Sequence, residues 1–250
     1  IKLLNMKNMK LAQKGPKNLD EYGYSIINSN LKTEYNLFEK LFVQHFNNAL
    51  KDENDDSFEL LDSMSNYHKI IEKSNISHHD LIKKISRKLP DEFRNHIFIK
   101  EIISHCEEYL NCKLSITDDT VWFRLCRSKS DDSNDLHRDH WFPNYSDVLN
   151  LYVPISGSYS DSAMKVVPKS HLWSDEDVIP THGKGEKRIK NGIAYSAPGI
   201  KYCKHEIITH RPDVETGDFM IFNPKCVHGG GDNFSEYSRT SLEIRIQIKK

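Results

Sequence analysis

The 250-residue sequence has no apolar run near the roughly 18 residues needed to span a bilayer as a helix, which argues against a membrane protein. It has only five cysteines, an odd number with no Cys-x-x-Cys pair, which suits reduced thiols in a cytoplasmic protein better than a disulfide frame. Ile1–Met6 carries neither a signal-peptide core nor a cleavage site, and there is no initiator Met. Charge of one sign is also lacking. With 35 Lys+Arg against 36 Asp+Glu the formal net charge is −1, which argues against a nucleic-acid partner or a polybasic membrane contact. The hydrophobic fraction of 37% is low, yet with 10% aromatics it is too high for a disordered chain. Internal repeats and low-complexity tracts are absent. What stands out instead is histidine, with 13 residues that matter only if some converge.

The first part of the chain, 1–115, reads as a helical layer. Leu37, Phe38, Leu41, Phe42, Phe46 and Leu50 recur at three- and four-residue steps, and Phe58, Leu61, Met64, Ile70 and Ile71 do much the same. The acidic stretch Lys51–Ser57 reads as a loop. Ser77 followed by Asp80 predicts an N-cap, and Pro90 predicts the first turn of a helix through Phe93, Ile97, Ile102, Ile103, Cys106 and Leu110. From 116 to 250 the texture changes to short β-type runs punctuated by Gly, Pro, Asn and Asp. Strands are predicted at Thr120–Cys126, Val148–Ile155, Met164–Val167, His205–His210, Phe219–Phe222 and Ser241–Ile248. Thr181–Gly192 reads as a long loop over the sheet. The fold class is mainly β with α: a sandwich or barrel-like β core preceded by N-terminal helices.

Three places in the β half carry chemistry. In Leu136–Pro143, His137 and Asp139 are two residues apart and on a strand would share one face with Asp135, His140 pointing away. The second is Gly217–Pro224 leading to His228, and the third is Arg239-Thr240-Ser241, eleven residues beyond His228. Two imidazoles and one carboxylate on one face of an ion leave three coordination positions open, the facial triad of non-heme Fe(II) oxygenases. An α-keto acid can take two positions and O2 the third. A guanidinium fork suits the far carboxylate of 2-oxoglutarate. Singly, each element is an ordinary turn, surface histidine or strand-end charge, and only their order and spacing point to a site.

His137-x-Asp139, Val166-Val167-Pro168-Lys169-Ser170-His171, Gly217–Phe222, His228 and Arg239 together resemble the phytanoyl-CoA dioxygenase (PhyH) family, over about residues 118–248. The resemblance implies a double-stranded β-helix (jelly-roll, cupin-like) core and Fe(II)/2-oxoglutarate-dependent oxygenase chemistry. It implies His137, Asp139 and His228 as iron ligands and Arg239 as the anchor of the cosubstrate, with Ser241 donating to the same carboxylate. The chain departs from the family at Lys169, where Gly is common, and at Gly230, where a Ser or Thr hydroxyl is common. Halogenating relatives carry a small residue where Asp139 stands, which argues against halogenation.

Around this set, Asn150 and Tyr152 share one strand face, Asn150 towards 2-oxoglutarate or substrate. His140, Trp141, Tyr152 and Arg127 (with Arg124 as the neighbouring alternative) are candidates for the substrate pocket. The expected reaction is hydroxylation of an unactivated C–H bond in a small polar metabolite or natural-product intermediate, with release of succinate and CO2, by a monomer or homodimer. A non-catalytic cupin-like binding protein and a metal-dependent hydrolase or isomerase on the same residues stay open. A zinc reading of Cys226 and His228 lacks a second nearby Cys.

Overall fold

The computed structural model describes residues 16–53, 59–74, 76–86, 90–132, 134–142, 145, 147–183, 186, 188–190, 193–195, 197–230 and 232–249. Most of the acidic stretch Lys51–Ser57, together with Phe58, Pro143 and Gly231, lies outside the described residues. The helices are α1 (Pro16–Tyr22), α2 (Lys32–Glu53), α3 (Tyr67–Ile71), α4 (His78–Ser86), α5 (Asp91–Asn95) and α6 (Ile97–Leu110). The strands are β1 (Tyr24–Ile27), β2 (Leu114–Cys126), β3 (Leu149–Ser156), β4 (Lys165–Val166), β5 (Val178–Pro180), β6 (Arg188–Lys190), β7 (Ile193–Tyr195), β8 (Ile200–Cys203), β9 (Phe219–Phe222), β10 (His228–Gly229) and β11 (Arg239–Ile248).

The four-residue spacing of Phe38, Phe42, Phe46 and Leu50 produces one unbroken helix, α2, whose aromatic stripe is fully buried. The other helical expectations are interrupted. His96 adopts an extended conformation (ψ 147°) and its Nδ1 accepts from the Phe98 N–H, so one predicted helix becomes α5 and α6. Pro90 stands just outside α5 with ψ 150° and not in its first turn. Over the described residues 59–71 the pattern yields a 3-10 turn, Met64–Asn66, and the short α3, with no long helix. Ser77 Oγ accepts from Asp80 N–H at 3.3 Å, as the capping pattern predicts.

The principal sheet is antiparallel with order β1-β9-β3-β11-β2, so a strand from the N-terminal part, β1, closes one edge. Its two faces differ because alternate residues point to opposite sides. Leu151, Val153 and Ile155 of β3, Phe219 and Ile221 of β9, and Leu242, Ile244 and Ile246 of β11 pack against the helical layer. Burying that apolar area, at about 25 cal/mol per Å², is the main force holding helices to sheet. The opposite face carries Asn150 and Tyr152, Met220 and Phe222, and the series Arg239, Ser241, Glu243 and Arg245. Facing it is a smaller antiparallel ribbon in which His137 bridges His228, β10 pairs β4, and Val166 bridges His210. Two further pairs, β5-β8 and β6-β7, lie outside these layers in the topology.

These layers form a mainly β, jelly-roll type fold with helices on one face, and among the described residues the sheets do not close into a barrel. Two local expectations are corrected. Of His205–His210 only His210 pairs, because the neighbouring strand is β8 at Ile200–Cys203. The Thr181–Gly192 stretch contains β6, which pairs with β7, so it is partly a hairpin arm. Among the described residues no helix is long and apolar enough to cross a membrane.

Candidate active site

His137 and His228 meet through an antiparallel bridge: His137 N–H donates to the His228 carbonyl at 2.8 Å and the reverse bond is 2.9 Å. Their rings stand 4.5 Å apart, centre to centre. After His137 the chain does not continue as a strand. Arg138 is extended, and Asp139–Trp141 turn in a 3-10 helix. The shared-face argument for an HxD pair on a strand is therefore corrected: the turn brings the carboxylate beside both imidazoles. Asp139 Oδ1 lies 3.3 Å from His137 Nε2 and 3.5 Å from His228 Nε2. One ligand atom from each of the three buried residues falls within 4.8 Å of the others, the only such grouping among the described residues.

The imidazoles are oriented from behind. Nδ1 of His137 is 2.7 Å from the Asp135 carbonyl, and Nδ1 of His228 is 2.9 Å from the Cys226 carbonyl. A backbone acceptor at Nδ1 places the ring proton there and leaves Nε2 lone pairs turned inward, the state a metal ligand requires. Burial opposes ionisation of Asp139, but Arg245 and the two imidazoles outweigh it and hold the carboxyl well below the usual carboxylate range. Burial and the neighbouring His228 push His137 down, so its neutral form is favoured. At His228 burial is outweighed by the Asp139 carboxylate, which raises the imidazole above its ordinary value, so that a cation would displace a proton there.

The polar face of β11 supplies the other wall. Arg239 is 2% exposed; one guanidinium nitrogen donates to Cys126 Sγ at 2.8 Å and Nε has no partner. No carboxylate pairs with Arg239 among the described residues, the nearby Glu243 being engaged by Arg124 and Arg245. Ser241 Oγ, Asn150 Oδ1, Arg124 Nε and Arg245 Nε are also buried without partners. Each such group costs about 1–3 kcal/mol unless something polar meets it. Arg124, Arg239, Glu243, His137, His228 and Met164 line a common cavity. An anion at Arg239 and a cation at the three ligands fit this donor set.

Of the remaining predicted residues, Asn150 stays at the site and the others disperse. Asn150 Nδ2 donates to Asp139 Oδ2 at 3.0 Å. Tyr152 faces the interior with its hydroxyl 2.7 Å from Ser158 Oγ. His140 Nε2 turns to Asp175 at 2.9 Å, and Trp141 packs beside Val167, Val178 and Val227. Arg127 forms a two-pronged pair with Asp132 at 2.8 and 2.9 Å. Two residues escaped the sequence reading. Arg245 contacts Asp139 Oδ2, and Glu243 lies 3.3 Å from Arg245 and 3.2 Å from Arg124. Burial opposes ionisation of Glu243, yet Arg124 and Arg245 hold it down at about 2. The signal was present: polar or charged residues at every second position of a strand whose intervening positions are Leu242, Ile244 and Ile246.

A jelly-roll frame with an inward His/Asp/His group and an unpaired buried arginine defines a metal-site protein of the cupin type. The profile of the family described as phytanoyl-CoA dioxygenase (PhyH) matches residues 38–241, and the chain belongs to that family. Among solved structures it is similar to the epimerase SnoN in complex with Fe3+, alpha ketoglutarate and nogalamycin RO, at TM-score 0.57 and 15% identity over 97% of this chain and 84% of that one. It is also similar to the non-heme alpha ketoglutarate dependent carbocyclase SnoK (TM-score 0.55, 15% identity, 92% and 81% covered) and to the non-heme monooxygenase ThoJ (TM-score 0.57, 12% identity, 92% and 75% covered). At these identities the likeness concerns the fold. No curated protein sequence matches.

Proposed function

We propose that the protein is an Fe(II)- and 2-oxoglutarate-dependent oxygenase that hydroxylates an unactivated C–H bond of a small polar metabolite or natural-product intermediate. The observation that carries this reading is the meeting of two features: three convergent ligand atoms, and, in the cavity that His137 and His228 line, a buried guanidinium that no carboxylate pairs with among the described residues. His137 Nε2, Asp139 Oδ1 and His228 Nε2 would hold the iron. When bound, the iron supplies the means to couple O2 reduction to oxidation of 2-oxoglutarate to succinate and CO2.

The chain's own residues position and enclose. Arg239 offers the distal carboxylate of 2-oxoglutarate two parallel charge-assisted hydrogen bonds, and Ser241 Oγ, on the same strand face, adds a third. Phe222, from the principal sheet, with its ring centre 4.8 Å from that of His228, and Met164, which lines the cavity, supply apolar surface that excludes water. The near-zero net charge favours a small polar substrate over a CoA thioester.

The test is a turnover screen of 2-oxoglutarate against a metabolite panel, with succinate quantified and products examined by mass. Hydroxylation requires gain of one oxygen. Loss of two hydrogens or an unchanged mass would reassign the outcome to ring closure or epimerisation, the activities named for SnoK and SnoN. His137→Ala, Asp139→Ala and His228→Ala should each abolish substrate-triggered succinate release, and full activity in any of them overturns the assignment.

A further inference from the structure

The two oxygens of Asp139 have different partners. Oδ1 faces His137 and His228 at 3.3 and 3.5 Å, whereas Oδ2 accepts from Asn150 Nδ2 at 3.0 Å and from the Arg245 guanidinium. Asn150 and Arg245 are direct cross-strand partners on β3 and β11, which are inner strands of the principal sheet. We propose that Arg245 and Asn150 are positioning residues that clamp Oδ2, so that Asp139 offers a metal one oxygen only. The proposal rests on the iron reading of the site and extends it.

The physical reason is competition for lone pairs. A free carboxylate can turn to give a cation both oxygens, which would close one of the three positions a facial triad leaves open. With Oδ2 engaged by a charged and a neutral donor, that rotation breaks two buried hydrogen bonds. The clamp is itself braced. Both terminal nitrogens of Arg245 lie 3.3 Å from Glu243 Oε2, Glu243 is held by Arg124, and the guanidinium sits 5.2 Å from the ring centre of Tyr145. Asp139 leaves the histidine ribbon and the clamp comes from the opposite sheet, so these bonds also tie the two layers beside the three candidate ligands.

Anaerobic titration of the full chain with Co(II) tests this, reading affinity by calorimetry and coordination by the visible ligand-field spectrum. Asn150→Ala and Arg245→Met should each shift the spectrum towards a higher coordination number and change Co(II) affinity by about 10-fold or more, with Arg245→Lys recovering part of the wild-type spectrum. Thermal melting separates loss of fold from loss of geometry, and Asn150→Ala, the smaller truncation, keeps the test decisive if Arg245→Met does not fold. Wild-type affinity and spectrum in Asn150→Ala and in any folded Arg245 variant overturn the clamp, whatever happens to their melting temperatures. That result is distinct from failure of the iron reading, in which wild type binds no Co(II) or binds it as well as His137→Ala does; the clamp then falls too.

Discussion

Replacing Arg239 by methionine removes the guanidinium and keeps an unbranched side chain in a site that is 2% exposed. The native guanidinium contacts Cys126 Sγ, and no carboxylate pairs with it among the described residues. Two effects of opposite sign follow. Losing a two-bond fork to a carboxylate removes about 3 kcal/mol, or roughly 150-fold in the Kd for 2-oxoglutarate. Removing an uncompensated buried cation stabilises the cosubstrate-free protein by about 2 kcal/mol, which at this chain length raises Tm by roughly 4–8 °C. Thermal melting with and without 2-oxoglutarate, together with anaerobic calorimetry at saturating metal, reads both. Wild type should gain Tm on addition of 2-oxoglutarate, and Arg239→Met should start higher and gain almost nothing. An affinity within about threefold of wild type, a difference under 1 kcal/mol, refutes Arg239 as the anchor. A lower Tm without cosubstrate refutes the claim that its charge is uncompensated.

Two other perturbations have worked signs. Burial pushes His78 down from 6.5 to about 4, against the pull of Asp132, while Tyr67 hydroxyl lies 3.1 Å from its Nδ1. The folded state therefore favours neutral His78, so its contribution is complete above pH 6.5 and is lost as pH falls towards 4. Between pH 7 and 5 that is about 2 kcal/mol of urea stability, and His78→Gln should flatten the profile; an unchanged slope contradicts it. Gly157 has φ +61°, and a Cβ there would overlap the Ser238 carbonyl. Gly157→Ala should cost about 3 kcal/mol and, by displacing the residue before Arg239, weaken 2-oxoglutarate binding; denaturation and calorimetry check the pair, and wild-type values in both would show that the segment yields freely.

The change of texture near residue 115 was legible because helical and strand periodicities differ, and the buried stripe of α2 and strand β9 follow directly from it. Breaks were harder to see. Nothing in the composition of residues 90–110 shows that His96 turns extended, since its Nδ1 cap on Phe98 N–H is a three-dimensional bond. β1 and the β6-β7 arm were missed because strands this short carry no periodicity of their own and depend on their partners. At the site, His137, Asp139, His228 and Arg239 stood out as residue types at telling spacings. Arg245 and Glu243 did not, because a charge on a strand reads as solvated until the facing layer is known.

By itself, then, the sequence determined the change from helical to strand periodicity near residue 115, the absence of a long apolar run, and the set of groups able to ligate a cation and bind a carboxylate. These are local properties of composition, spacing and periodicity. Only the tertiary structure decided which side of β11 faces the interior, that Asp139 reaches the imidazoles by a 3-10 turn, and that its second oxygen is held from the opposite sheet. Arg245 reaches Asp139 across 106 positions and Asn150 reaches it across only 11, and either contact exists only once the two layers have packed face to face.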